Sequence, residues 1–127
     1  MELTPVQLVR RLFDANRTGD DVLVLSLLAE DIEARAAADG REFHGIEDVR
    51  DWLVGAAHGG PRTEVDAELV EDLGSDVLVV GRLRAFHGGV MWDRPACWLF
   101  RVRDGRITRI SGFRSPEHAR AALSVHD

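Results

Sequence analysis

At 127 residues, with 45% hydrophobic and 30% charged side chains, the chain has the size and balance of one globular domain with a single core. Its formal net charge of −6 disfavours sequence-independent binding to nucleic acid, and no apolar run approaches the roughly 18 residues of a membrane span. There is no lysine and no tyrosine, which excludes Schiff-base chemistry, a P-loop lysine and a phenol that donates to a developing oxyanion.

The N-terminal Thr4-Pro5-Val6-Gln7 predicts a helix start: Thr4 caps, Pro5 suits the first helical position and Gln7 completes a capping box. Val6, Val9 and Phe13, with Leu8, Leu12 and Ala15, form a broad apolar stripe, while Arg10, Arg11, Asp14 and Arg17 fill the other side. Gly19 stops this helix. Asp20 or Asp21 caps a second helix through Leu28, with Val22, Leu25 and Leu28 expected to point inward. No basic or apolar leader precedes these helices, so no signal peptide is expected.

Ile32–Ala38 reads as a strand, and Asp39-Gly40 turns it into Arg41–His44. Gly45 precedes a third helix, Ile46–Ala57. Its first turn carries Glu47 and Asp48, which suit the positive end of the helix dipole. Ile46, Val49, Leu53 and Ala56 form its buried stripe, with Trp52 alongside, and His58-Gly59-Gly60-Pro61 ends it.

Longer strands follow. Thr63–Leu73 sets Val65, Ala67 and Leu69 against Glu64, Asp66 and Glu68, so one face is expected to be wet. Gly74-Ser75 leads to a strand Asp76–Phe86, and His87-Gly88-Gly89 turns the chain into Val90–Arg103, with a possible bend at Pro95. Asp104-Gly105 makes a hairpin into Arg106–Arg114. Ser115-Pro116-Glu117 starts a closing helix that carries Ala119, Ala122 and Leu123. Helices followed by strands in this order make a small α+β domain shaped as a cone.

The ordered set Gly19-Asp20, Leu27-Leu28-Ala29-Glu30-Asp31, Phe43-His44-Gly45-Ile46 and the hairpin Trp98–Ile107 resembles the SnoaL-like families of the nuclear-transport-factor-two-like superfamily. The resemblance implies one domain over residues 1–127. It also implies a curved, mainly antiparallel sheet forming a cone closed by N-terminal helices, a cystatin-like α+β barrel. Such proteins are often dimers. Some are polyketide cyclases, ketosteroid isomerases or epoxide hydrolases, and others are binding or scaffolding modules, so the fold alone assigns no activity. The isomerase tyrosine falls near Leu12, its general-base aspartate near Ala36 and its second acid near Trp98. All three are apolar here, so that mechanism does not carry over. The cyclases place an aspartate or histidine pair on the last strands, where this chain reads Arg109-Ile110-Ser111-Gly112-Phe113-Arg114 without a carboxylate.

The expected pocket wall consists of Trp52, Trp98, Phe100, Ala36 and Ile110, with Trp52 facing Trp98. Plain core packing is the competing reading, because aromatics bury large areas. Arg114 is a candidate to hold an anionic oxygen, against a solvated arginine beside the closing helix. His44 is a candidate general base, against a solvent-facing position next to Phe43. Asp31, Glu33 and Asp93 are the possible carboxylates: Asp31 most simply terminates the second helix, Glu33 reads as exposed, and Asp93 reads as half of a surface pair with Arg94. Arg82 and Arg84 share a face with Leu78, Val80 and Phe86, a mixed surface that suits a homodimer interface.

Cys97 cannot form an internal disulfide, which points to a reducing cytoplasm, and it reads as a small core residue rather than an activated thiolate. The five histidines are scattered without zinc-site spacing, so neither a metal nor another cofactor is expected. Two functions stand: a small-molecule pocket protein, as isomerase, cyclase or hydrolase on an apolar ring-containing substrate, or a non-catalytic ligand-binding or dimerisation module. No nucleic acid or membrane partner is expected.

Overall fold

Thr4 opens the first helix with a reciprocal capping box. The Gln7 backbone N–H donates to Thr4 Oγ1 (3.2 Å), and the Thr4 N–H donates to Gln7 Oε1 (2.9 Å). α1 (Pro5–Thr18) ends on Gly19, whose φ of 77° provides the left-handed cap. Asp20 then caps α2 (Asp21–Leu27) by accepting from the Leu23 N–H. The computed structural model describes residues 3–36, 40–55, 62–87 and 89–125.

β1 (Leu28–Arg35) follows α2 without a loop. The strand therefore starts four residues earlier than expected, and Asp31 lies within it rather than at a helix end. The inward stripe of α2 also differs: Val24 and Leu27 are buried, whereas Val22 is 80% exposed. In the run Val-Leu-Val-Leu-Ser-Leu-Leu, either stripe satisfies helical spacing, so only packing decides between them.

β2 (Glu42–His44) pairs with β1, and α3 (Ile46–Gly55) begins after Gly45, whose N–H donates to Ile32 O (2.8 Å). The expected end of this helix, Ala56 to Pro61, and the turn residue Asp39 lie outside the described residues. β3 (Arg62–Asp72), β4 (Asp76–His87), β5 (Val90–Arg103), β6 (Arg106–Phe113) and α4 (Pro116–Val125) complete the chain, with Gly88 of the β4–β5 turn outside the description. The β5–β6 turn has positive φ at both Asp104 (54°) and Gly105 (74°), which matches the twist of a two-residue hairpin.

The six strands form one curved sheet in the order β2-β1-β6-β5-β4-β3, antiparallel except for β1 with β6, and it does not close on itself. The inner face packs on the N-terminal helices. Phe43, Ala34, Ile110, Phe100 and Val77 are successive register partners across β2, β1, β6, β5 and β4, and all five are buried with Leu8, Val9 and Leu12 of α1. A second cluster occupies the outer face, where Ala119 of α4 packs with Leu78 and Cys97, flanked by Val80, Leu99 and Phe113. The Arg120 guanidinium ties α4 to Glu71 of β3 at 2.7 Å.

Bulges determine which side chains reach each face. On β6 an extra residue, Thr108, sits opposite the step from Arg101 to Val102, so Ile107 and Ile110 both enter the core while Phe113 turns outward. On β3 the extra residue is Glu68. It moves Leu69 off the face expected for it and onto the outer side beside Val80, 55% exposed, while Val70 packs inward.

The same bulge explains a glycine. Gly81 is buried opposite Ala67, and a Cβ there would overlap the Asp66 carbonyl oxygen, a backbone atom that cannot swing away. Gly81→Ala is therefore expected to lower stability by about 3 kcal/mol, read as a fall in the urea midpoint with an unchanged m-value. An unchanged midpoint would contradict the close approach.

Candidate functional site

The aromatic side chains of the inner face divide into two groups. Phe13 of α1 meets Trp98 edge to face (centroids 6.4 Å apart, planes at 68°) and Phe100 likewise (5.6 Å, 69°). Trp52 of α3 instead stacks on Phe43 of β2 (5.1 Å, 14°), and the Arg41 guanidinium lies 5.3 Å from the Phe43 centroid. The expected partnership of Trp52 with Trp98 is thus replaced by two separate ring groups. Trp98, Phe100 and Ile110 belong to the buried core, whereas Phe13, Trp52 and Ala36 form its half-buried margin.

The chemistry available along this wall is limited. Among the described residues no polar or charged side chain is buried. Leu12 and Trp98, at two of the positions where an isomerase would carry its acid groups, are buried apolar side chains, and Ala36 is half-buried. Among the described residues no three His, Cys, Asp or Glu side chains converge as a metal site.

His44 alternates with Phe43 and so occupies the outer face. Its side chain is 66% exposed, with Nδ1 3.7 Å from Glu33 and Nε2 3.9 Å from Glu42, and its backbone N–H donates to Asp48 Oδ2 (2.9 Å). The sheet stands between this imidazole and the aromatic wall. Arg114 lies one residue beyond β6, exposed, in the link to α4 where Ser115 Oγ accepts from the His118 N–H. Glu33 is exposed on the outer face, 3.8 Å from Arg109. Asp31 is exposed in β1.

Asp93, read from the sequence as half of a surface pair with Arg94, is held by two arginines of β4. Its carboxylate accepts from Arg82 Nε at 2.7 Å and Arg84 Nε at 3.4 Å, and Arg84 also reaches Asp66 at 2.7 Å. The Arg82 hydrogen bond holds the Asp93 carboxyl below its usual range, partly opposed by desolvation and reinforced by the charges of Arg82 and Arg84. Arg82 and Arg84 are therefore built into an outer-face charge ladder. The neighbouring Leu78, expected on an open surface, is fully buried beneath α4.

Arg94 enters the sequence reading only as the neighbour of Asp93. It pairs in register with Leu83, which packs against the inner core, so it shares the face of Ala96, Trp98 and Phe100. Extending that alternation back by one step identifies it, but its neighbour Asp93 suggested a local ion pair instead.

Comparison with known proteins follows the same lines. The SnoaL-like domain family matches residues 9–110. Uncharacterised proteins of Mycobacterium tuberculosis and Mycobacterium bovis are 33% identical over 114 residues, covering 85% of this chain and 86% of theirs. A protein of Jannaschia sp. CCS1, provisionally designated a SnoaL-like polyketide cyclase, superposes with a TM-score of 0.73 at 27% identity, covering 97% of this chain and 93% of that one. An LEH-like epoxide hydrolase of M. tuberculosis gives 0.75 at 20% identity, covering 94% of this chain and 84% of that one, a likeness of fold. No helix among the described residues is long and apolar enough to cross a membrane.

Cys97 provides a test of the outer-face packing. It is fully buried between strands and α4, and burial pushes its thiol up from the ordinary value. A thiol reagent at pH 8 is expected to leave the native protein unlabelled and to modify one cysteine after denaturation in urea. Rapid labelling of the native protein would show that α4 does not cover this site.

Proposed function

We propose that this chain, which belongs to the SnoaL-like domain family, binds a small, apolar, ring-containing molecule at the aromatic margin of its inner face, without acid–base chemistry of its own. The observation that carries this reading is the contrast between half-buried Phe13 and Trp52, packed against the core, and the absence of any buried polar side chain among the described residues. A flat guest gains area and ring contacts there, whereas a general base must lie within hydrogen-bond reach of the proton it removes. A cytoplasmic setting accords with the single reduced Cys97.

The second reading is enzymatic: an isomerase, cyclase or hydrolase in which an arginine positions the substrate and His44 or a carboxylate moves the proton. It is favoured by the likeness to the Jannaschia protein designated a polyketide cyclase. The outer-face position of His44 weighs against it.

Tryptophan fluorescence titrated with 2-acetylnaphthalene, a neutral flat probe, is expected to saturate, and Trp52→Ala to weaken binding about tenfold through loss of the stacking edge of the site. A linear, non-saturating response in the wild type, or an unaltered affinity in Trp52→Ala, rejects the reading.

A homodimer through the remaining outer face is part of the same proposal. Exposed Leu69 and half-buried Val80 lie beside Asp66, Arg82, Arg84 and Asp93, whose alternating signs are complementary to a second copy turned by a two-fold axis. Light scattering at micromolar concentration is expected to give twice the 14.1 kDa chain mass, and Leu69→Asp to halve it. A monomeric wild type rejects the dimer.

A further inference from the structure

Two rungs of the β5–β6 hairpin carry arginine on both strands. Arg103 is the register partner of Arg106, and Arg101 is the register partner of Arg109. The second pairing depends on the bulge. Without it, Arg101 would meet Thr108, and Arg109 would meet Phe100 in the inner row. The extra residue Thr108 moves Arg109 on by one position, opposite Arg101 and out of the core. Arg101 and Arg103 alternate with Phe100 and Val102 of the inner face, while Arg106 and Arg109 precede buried Ile107 and Ile110, so all four arginines belong to the outer face. Four of the 16 basic side chains thus share one hairpin face, in a chain of net charge −6.

Like charges directly opposite one another destabilise a sheet, and nearby acids balance this block only in part. The Arg101 Nε–H donates to Asp76 Oδ1 (3.1 Å). Glu33 lies 3.8 Å from Arg109 Nη1 and is shared with His44, and the Arg109 Nε–H donates to Ser111 Oγ (3.2 Å). Arg106 Nη1 reaches the Leu28 carbonyl (3.5 Å), and Asp104 is exposed in the turn. These bonds fix the planes of Arg101 and Arg109 at Nε, and a guanidinium has four further N–H donors at its terminal nitrogens. The two side chains are 43% and 53% exposed, so a ligand meets them without opening the core.

We infer that this face of the hairpin is a binding site for a diphosphate group, one phosphate on each arginine rung. Facing residues of an antiparallel pair have Cβ atoms about 5 Å apart, which lets two guanidinium groups close on one anion. A carboxylate presents two oxygens in a plane to a single fork, whereas a tetrahedral phosphate presents oxygens to two forks at once. The rungs are about 7 Å apart along the strand, a spacing that long arginine side chains close to that of linked phosphates. The site lies on the opposite face of the sheet from the aromatic wall. It is also eight residues along β5 from Asp93, about 26 Å, and so stands apart from the surface assigned to the dimer.

The test is equilibrium dialysis of the full chain at pH 7 against pyrophosphate, orthophosphate and citrate. Pyrophosphate is expected to bind saturably at 0.05 M sodium chloride and to weaken as the salt rises to 0.5 M, with orthophosphate and citrate each about tenfold weaker. Arg103→Gln and Arg109→Gln are each expected to weaken pyrophosphate about tenfold, while Arg11→Gln, an exposed arginine of α1, leaves it unchanged. The urea midpoint establishes that each variant is folded, and if Arg109→Gln is not, Arg103→Gln decides alone. No saturable binding of pyrophosphate, or binding that survives both hairpin substitutions, overturns the site. Orthophosphate as tight as pyrophosphate overturns the two-rung assignment, and citrate as tight overturns the phosphate class.

Discussion

Everything in this molecule depends on the register of one sheet. The row Phe43–Ala34–Ile110–Phe100–Val77 crosses five strands, and every member is buried against the helices. Removing a large apolar side chain from water is worth roughly 1.5–3 kcal/mol, whereas an exposed ion pair contributes about 0–1 kcal/mol. The inner row therefore dominates the energetics, and the outer-face ladder of Asp66, Arg82, Arg84 and Asp93 is a consequence of it. A slip of one residue would turn the whole row to solvent. The bulges at Thr108 and Glu68 let long strands curve while most of their apolar residues stay inside.

The sequence was informative wherever local chemistry specifies local geometry. The Thr4–Gln7 capping box, the Gly19 stop, the Asp20 cap and the Asp104-Gly105 hairpin all act over a few residues, and the structure contains each of them. The strand Val90–Arg103 keeps its expected limits because turn residues bound it on both sides. What the sequence left open depends on contacts between distant segments. Both stripes of α2 fit helical spacing, and the choice of Val24 and Leu27 over Val22 comes from packing against the rest of the core. On β6, Ile107 and Ile110 both face the core because Thr108 is an extra residue, and nothing local to Arg-Ile-Thr-Arg marks it as one.

The candidate site was legible in its composition and less so in its arrangement. Trp98, Phe100 and Ile110 share the inner face, as alternation implied, and Trp52 lies beside that core. Their pairings depend on how α1 and α3 cross the sheet, and so the partners proved to be Phe13 for Trp98 and Phe43 for Trp52. His44 could be placed on the outer face from its neighbour Phe43 alone, since the two must point oppositely along a strand. The fate of Asp93 could not be read this way, because its arginine partners come from β4, nine and eleven residues away.

Arg94 shows why adjacency in a strand misleads about charge. Two neighbouring residues of opposite sign invite a local ion pair, but a β-strand sends their side chains to opposite faces, with a layer of backbone and packed side chains between them. Each charge must then be balanced on its own side of the sheet. Asp93 meets two guanidinium groups on the outer face, and the ladder of which it is part would exist whatever occupied position 94. On the inner face, Arg94 stands opposite Leu83.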